Sequence, residues 1–179
     1  MKKVLIISSS LRNGSNSEIL AKSAEKGAID AGNEVEFISL KGKNINFCIG
    51  CLACQKTNKC VQKDDMENLI GKVQNADVLI YATPIYYYEM SGQLKTFLDR
   101  CNPLYVQENK FKDVYLITSS YDDAKNVADR AISGLKGWIE CFEQSRFAGA
   151  LVGGGIDAPK SAAERQDLLQ KAYDLGKNI

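Results

Sequence analysis

Short apolar runs alternate with longer amphipathic stretches along this chain. The runs are Lys3 to Ser8 (KVLIIS), Glu34 to Leu40, Asp77 to Ala82, Val114 to Thr118 and Phe147 to Val152. The first is almost continuously apolar, the pattern of a strand covered on both faces. Helical spacing fills the intervals. Ser15 to Ala31 carries Leu20, Ala24 and Ala28 on one stripe, and Gly32 stands where a left-handed residue closes the last turn. Asp64 or Asp65 opens a helix with Met66, Leu69, Ile70 and Val73 on one face, and Ser91 to Arg100 turns Leu94, Phe97 and Leu98 inward. A long helix is predicted from Asp122 or Asp123 through Val127, Ala131, Leu135, Trp138 and Phe142. Ser161 and Glu164 form an S-x-x-E capping box ahead of Leu168, Leu169, Ala172 and Leu175.

Five strands in strict alternation with five helices predict an α/β fold: a doubly wound, five-stranded parallel sheet of order 2-1-3-4-5 with helices on both faces. At 179 residues the expectation is a single domain over 1-179, with a cysteine-rich insert at 44-63.

Composition narrows the function. Twenty-three basic residues against 22 acidic give a net charge of +1 with no basic stripe, so no nucleic-acid partner is expected. The N-terminal apolar run is too short for a signal peptide, and no run approaches the roughly 18 apolar residues of a membrane span, so a cytoplasmic protein without a membrane partner is expected. There is no histidine. Histidine-based general-base catalysis and histidine ligation of metals are thereby excluded, and the hard chemistry falls to a cofactor.

In a sheet of this order a ligand sits beyond the carboxyl ends of the strands where the order reverses, which points to the loops after Ser8, Ala82 and Thr118. The first loop, SSSLRNGSNS, supplies hydroxyls at Ser9, Ser10, Ser15 and Ser17, Asn16, Arg12, a flexible Gly14 and the first amides of a helix. Helix N-termini favour anions and arginine matches phosphate oxygens in two-point geometry, so the loop reads as a phosphate cradle. It lacks both G-x-x-x-x-G-K-[ST] and G-x-G-x-x-G, and a monophosphate fits it better. Alternatively, Ser15 and Glu18 form only a capping box and the serines only a turn. After strand three, Thr83, Pro84, Ile85, Tyr86, Tyr87 and Tyr88 offer flat apolar and aromatic surface suited to a planar ring, or to an interface with another chain. Ser119 and Ser120 follow strand four as hydrogen-bond partners for a ring's polar edge.

Cys48, Cys51, Cys54 and Cys60 form a C-x2-C-x2-C-x5-C array. It shares its first three positions with ferredoxin spacing and departs at the fourth. Three readings stay open: an iron-sulfur cluster, unligated thiols, and zinc, whose structural sites usually have two separated knuckles. Cys101 and Cys141 lie on helical patterns and are expected to be small buried hydrophobes.

These motifs resemble the NADPH-dependent FMN reductase family of flavodoxin-like proteins. The resemblance lies in the loop Ser10, Arg12, Gly14, Ser15, Asn16, Ser17 and in the run Thr83 to Arg100, and it extends over essentially the whole chain. Ser8 precedes Ser9 where the commonest version begins Gly-Ser, a mild departure. The resemblance implies that the first motif binds the phosphate of FMN and the second runs along its ring, with no catalytic side chain. The cysteine array is similar to that of the iron-sulfur flavoprotein branch, which implies a 4Fe-4S cluster on Cys48, Cys51, Cys54 and Cys60. It further implies an FMN-dependent oxidoreductase passing electrons between NAD(P)H or a ferredoxin-like donor and a small acceptor, as a homo-oligomer. Alternatives are a cluster-free NAD(P)H-dependent flavin or quinone reductase and a flavin electron carrier without turnover. A phosphoryl-accepting receiver shares the sheet order but needs an aspartate where this chain has Thr83 and Pro84.

Overall fold

The computed structural model describes residues 1–179. In chain order the elements are β1 (Lys3–Ser8), α1 (Asn16–Asp30), β2 (Glu34–Ser39), α2 (Cys54–Thr57), α3 (Met66–Asn75), β3 (Val78–Tyr86), β4 (Glu89–Met90), α4 (Gly92–Arg100), β5 (Asp113–Ser119), α5 (Asp129–Ile139), β6 (Arg146–Gly153) and α6 (Gln166–Lys177). Short 3-10 turns lie at Asn102–Val106 and Ser161–Glu164. No helix is long and apolar enough to cross a membrane.

Five strands pair in parallel in the order β2-β1-β3-β5-β6, and β4 pairs antiparallel with the end of β3. The sheet thus has six strands where five are expected, and the strand order departs from 2-1-3-4-5 by this added arm. The parallel strands otherwise keep the predicted succession. Because successive strand residues face opposite sides, the apolar runs feed two cores. Leu5, Ile7, Leu79, Tyr81, Val114 and Leu116 join the helix residues Leu69, Val73, Leu94, Phe97, Ala131 and Leu135 on one face. Val4, Ile6, Val78, Ile80 and Ile117 join Leu20, Ala24, Leu168 and Ala172 on the other. Tyr81 is fully buried among the first set, edge-on to Phe97 and Trp138.

Several predicted boundaries are corrected. The fourth long helix begins at Asp129, not at Asp122 or Asp123. Asp122 accepts the Ala124 amide at 2.9 Å and its carbonyl accepts Ser120 Oγ at 2.8 Å, local bonds that hold the segment in turns. The capping box at Ser161 does not form: Ser161 Oγ donates to the Ala158 carbonyl at 2.8 Å, and α6 starts only at Gln166. Strand β3 runs on to Tyr86, so Thr83 to Tyr86 are strand, not loop. Cys101 is buried as expected, but Cys141 is exposed in the turn that follows α5.

Helices α1 and α6 touch backbone to backbone. A Cβ on Gly27 would stand 2.0 Å from the Tyr173 carbonyl oxygen, and one on Gly176 would stand 1.9 Å from that of Ala24. Glycine is required at both positions by this close approach. Alanine replacing glycine within a helix ordinarily gains up to about 1 kcal/mol. Here the sign reverses: Gly176→Ala is expected to lower stability by roughly 1–3 kcal/mol, measured by urea unfolding, whereas Gly71→Ala on α3, which meets nothing within 4 Å, should not.

Candidate functional site

Parallel register brings the strand ends to one edge. Ser8 lies beside Ala82, Thr83 beside Thr118, and Ser119 beside Gly153. From this edge the Ser9–Ser17 loop rises. Ser9 is tied down at once, its amide donating to the Ala82 carbonyl at 2.9 Å and its hydroxyl to the same oxygen at 3.0 Å. Ser9 Oγ also meets Ser91 Oγ at 2.9 Å, and Ser91 caps α4 by accepting the Leu94 amide at 3.3 Å. The start of the loop and the start of α4 are therefore one hydrogen-bonded unit.

Beyond Ser9 the loop turns its donors outward. Among the amides of Ser10 to Ser17, only that of Arg12 has a protein acceptor, Ser10 Oγ at 3.3 Å. Ser10, Ser15, Asn16 and Ser17 are nonetheless buried. Buried amides are almost always paired, so a row of open donors at a helix N-terminus matches an anion such as a phosphate. Ser15 caps α1, accepting the Glu18 amide at 3.2 Å. The carboxylate of Glu18 does not return the bond to Ser15 and instead accepts Ser8 Oγ at 3.1 Å. Arg12 is exposed and donates Nη1 to the Asp157 carbonyl at 2.9 Å, with no carboxylate partner.

Asn16 is placed differently from the sequence reading. Its Nδ2 donates to the Ala158 carbonyl at 3.0 Å and its Oδ1 accepts the Ala162 amide at 3.1 Å, so the side chain fastens α1 to the loop after β6. Two cations missed by the sequence lie at the same loop. The Lys160 side chain crosses Gly14, where a Cβ would come within 2.8 Å of its Cγ, and Lys41 Nζ hydrogen-bonds Asn13 Oδ1. Lys160 is 146 residues from Gly14 in sequence, and no local pattern joins them.

Thr83 to Tyr88 form a hairpin arm above the same edge. Tyr86 pairs with Glu89, and Tyr87 and Tyr88 occupy the two turn positions at φ 52° and 67°. This is the left-handed geometry of a tight hairpin, here carried by two bulky residues in place of the usual Asn-Gly. Pro84 and Ile85 are half-buried, and Tyr87 is fully exposed. Tyr88 is held from the side, its hydroxyl donating to Asp122 Oδ2 at 3.1 Å. Thr83 Oγ1 accepts the Ser91 amide at 3.0 Å. Ser119 and Ser120 are buried beside this arm, with Ser120 Oγ committed to the Asp122 carbonyl. Thr118 Oγ1, fully buried at the same edge, has no hydrogen-bond partner.

The cysteines occupy a separate place. Cys48, Cys51, Cys54 and Cys60 line one small pocket together with Ile49, Leu52, Val61, Arg100, Asn102 and Pro103. No three of the sulfurs converge into a ready metal-ligand set. The loop backbone is suited to an anionic group all the same. No amide from Phe47 to Cys54 donates to a protein acceptor, and left-handed Leu52 (φ 56°) precedes right-handed Ala53, the alternation that forms concave donor sites for phosphates and iron-sulfur groups. Asn102 Nδ2 donates to Cys54 Sγ at 3.2 Å.

Both ends of this loop close on one buried ion pair. Arg100, 1 % exposed, donates Nη1 to Asp64 Oδ2 at 2.6 Å and Nη2 to Asp64 Oδ1 at 3.0 Å. Nη1 also reaches the Asn46 carbonyl at 2.7 Å, and Asp64 accepts the Asn46 and Met66 amides at 2.9 and 3.1 Å. Asp64 thus closes the loop instead of capping a helix in solvent. Burial alone would raise its carboxyl, but the Arg100 fork and the two amides outweigh it and hold it at about 2.

The fold, with its loop of open amides at the switch edge, is that of a flavodoxin-like protein. Comparison with known sequences makes this specific: the chain belongs to the NADPH-dependent FMN reductase family, whose pattern matches residues 2–144. It is 41% identical over 103 residues to an iron-sulfur flavoprotein of Archaeoglobus fulgidus, covering 58% of this chain and 46% of that protein. A second iron-sulfur flavoprotein, from Methanocaldococcus jannaschii, is 40% identical over 102 residues, covering 57% and 53%. The chain spans about half the length of these relatives. Among solved structures, an NAD(P)H:quinone oxidoreductase from Methanothermobacter marburgensis superposes with a TM-score of 0.75 at 16% identity, over 99% of this chain and 95% of that one, a likeness of fold.

The low Asp64 value makes stability depend on acid. Folding holds the carboxylate charged where an unfolded chain has begun to take up a proton. Its contribution, about 2 kcal/mol, is complete above about pH 5 and is lost as pH falls through 3.8 to about 2. Urea unfolding of wild type and Asp64→Asn between pH 5 and pH 2 should show a gap that narrows across this window.

Proposed function

We propose that the chain is an FMN-dependent oxidoreductase that passes electrons between NAD(P)H or a ferredoxin-like donor and a small acceptor, with a 4Fe-4S cluster on its four clustered cysteines. The observation that carries the flavin is the row of open amides from Ser10 to Ser17 at the carboxyl edge of the sheet. In this reading those amides, with Ser9, Ser10, Ser15, Ser17 and Arg12, receive the phosphate, and Asn16 serves through its backbone amide while its side chain braces the loop. Thr83, Pro84, Ile85, Tyr86, Tyr87 and Tyr88 support the ring, and Ser119 and Ser120 border its polar edge. FMN, when bound, supplies hydride chemistry and can also exchange electrons singly. The protein contributes position and a fixed electrostatic setting, and no side chain acts as a general base.

Cys48, Cys51, Cys54 and Cys60 would hold the cluster, supported by their shared pocket, the open amides of their loop and the Asn102 donor on Cys54. That the relatives in Archaeoglobus fulgidus and Methanocaldococcus jannaschii are iron-sulfur flavoproteins supports the same assignment. A cluster supplies one-electron exchange, which is why a ferredoxin-like donor belongs to this reading. A cluster-free NAD(P)H-dependent reductase is the second reading, favoured by the failure of any three sulfurs to converge. A single domain over 1-179 is supported by the two cores sharing one sheet. A homo-oligomer is supported by the exposed rings of Tyr86 and Tyr87.

Protein purified without oxygen should contain one FMN per chain, with iron and acid-labile sulfide at four each per chain as expected for a 4Fe-4S cluster. Flavin without iron would select the cluster-free reading, and absence of both would end the proposal. Arg12→Ala should weaken FMN binding by about 10- to 100-fold in a fluorescence titration, leaving riboflavin, which lacks the phosphate, little affected.

A further inference from the structure

Arg100 is the largest fully buried side chain of the protein, and its hydrogen bonds leave one of its three nitrogens without a partner. Nη1 and Nη2 are spent on Asp64 and the Asn46 carbonyl, while Nε is buried without a partner. Asp64 has no room for it, since its two oxygens already accept Arg100, the Asn46 amide and side chain, and the Met66 amide. A buried cationic N–H without an acceptor is rare. Arg100 lines the cysteine pocket together with Cys60, the last of the four cysteines.

We propose that Arg100 is a positioning residue for the cluster read into that pocket, its Nε–H hydrogen-bonding the Cys60 sulfur while its fork on Asp64 holds the cysteine loop closed. This rests on the cluster reading above. Hydrogen bonds to ligand sulfur and net local charge set the potential of iron-sulfur centres. Asn102, two residues beyond Arg100, donates to Cys54 Sγ, and the unpaired Arg100 Nε belongs to the same pocket, whereas Cys48 and Cys51 lie exposed. The same helix α4 begins at Ser91, which is bonded to Ser9 and Thr83 at the flavin edge. Its nine residues make a rigid strut about 14 Å long that ties the two sites together.

The test compares wild type with Arg100→Lys, which keeps the charge against Asp64 and loses the Nε donor and the fork. Both are purified and reconstituted with iron and sulfide without oxygen, and FMN content, iron content, reduction potential and iron release to a chelator are measured. The expected variant binds FMN and iron as wild type does, has a more negative cluster potential, and loses iron about tenfold faster. Wild-type potential and release rate in Arg100→Lys would overturn the role of Arg100 and leave the cluster assignment standing. Loss of FMN together with iron in the variant would make Arg100 a general structural pin and also overturn the proposal. Wild type that takes up no iron would overturn the cluster reading and this inference with it.

Discussion

Everything in this protein depends on parallel register. Strands buried on both faces cannot slip by one residue without exchanging their two cores, and Leu5 and Ile7 belong to one core while Val4 and Ile6 belong to the other. Fixing that register places Ser8, Ala82, Thr118 and Gly153 at the same edge. The loops leaving those residues inherit their proximity from the sheet and need few contacts of their own. That freedom lets the Ser10–Ser17 amides, Arg12 excepted, remain unpaired.

The second organising feature is helix α4. At its beginning Ser91 joins the Ser9–Ser17 loop to the hairpin arm, and at its end Arg100 closes the cysteine loop. A buried ion pair is not in itself a strong source of stability, because desolvation offsets much of the attraction. Its value lies in specificity: a two-point fork with Asn46 and Met66 bonded to the same carboxylate admits one closure of the loop. The segment from Phe47 to Cys54, which forms no backbone hydrogen bonds as a donor, is held through its ends.

Much of this was legible in the sequence, and the parts that were not share a cause. The parallel strands and the helices they alternate with announce themselves through apolar periodicity, because burial on two faces demands it. The helix starts at Asp122 and Ser161 misled because short polar side chains cap helices and bind their own turns with equal chemistry, and only the tertiary setting decides. Pro84 and the tyrosines after it read as a loop, yet β3 continues to Tyr86, since a hairpin partner at Glu89–Met90 supplies the pairing, and only Tyr87 and Tyr88 form the turn. The two sequence motifs lie at one edge of the sheet, but Asn16 spends its side chain on residues more than 140 positions away. Arg100 was hidden for a related reason. An arginine near the end of an amphipathic helix reads as a solvated residue, and nothing local indicates a carboxylate 36 positions earlier.

The glycine contact between α1 and α6 bears on where the functional unit ends. The family match stops at residue 144, and α6 lies wholly beyond it. Yet α1, whose first turn presents the open amides, is seated against α6 through Gly27 and Gly176 with no side chain between the backbones. Two helices in such contact cannot slide or rotate independently. The seating of the Ser9–Ser17 loop is therefore shared by the matched residues and by a C-terminal helix beyond them, and any substitution there must preserve a smooth, side-chain-free seam.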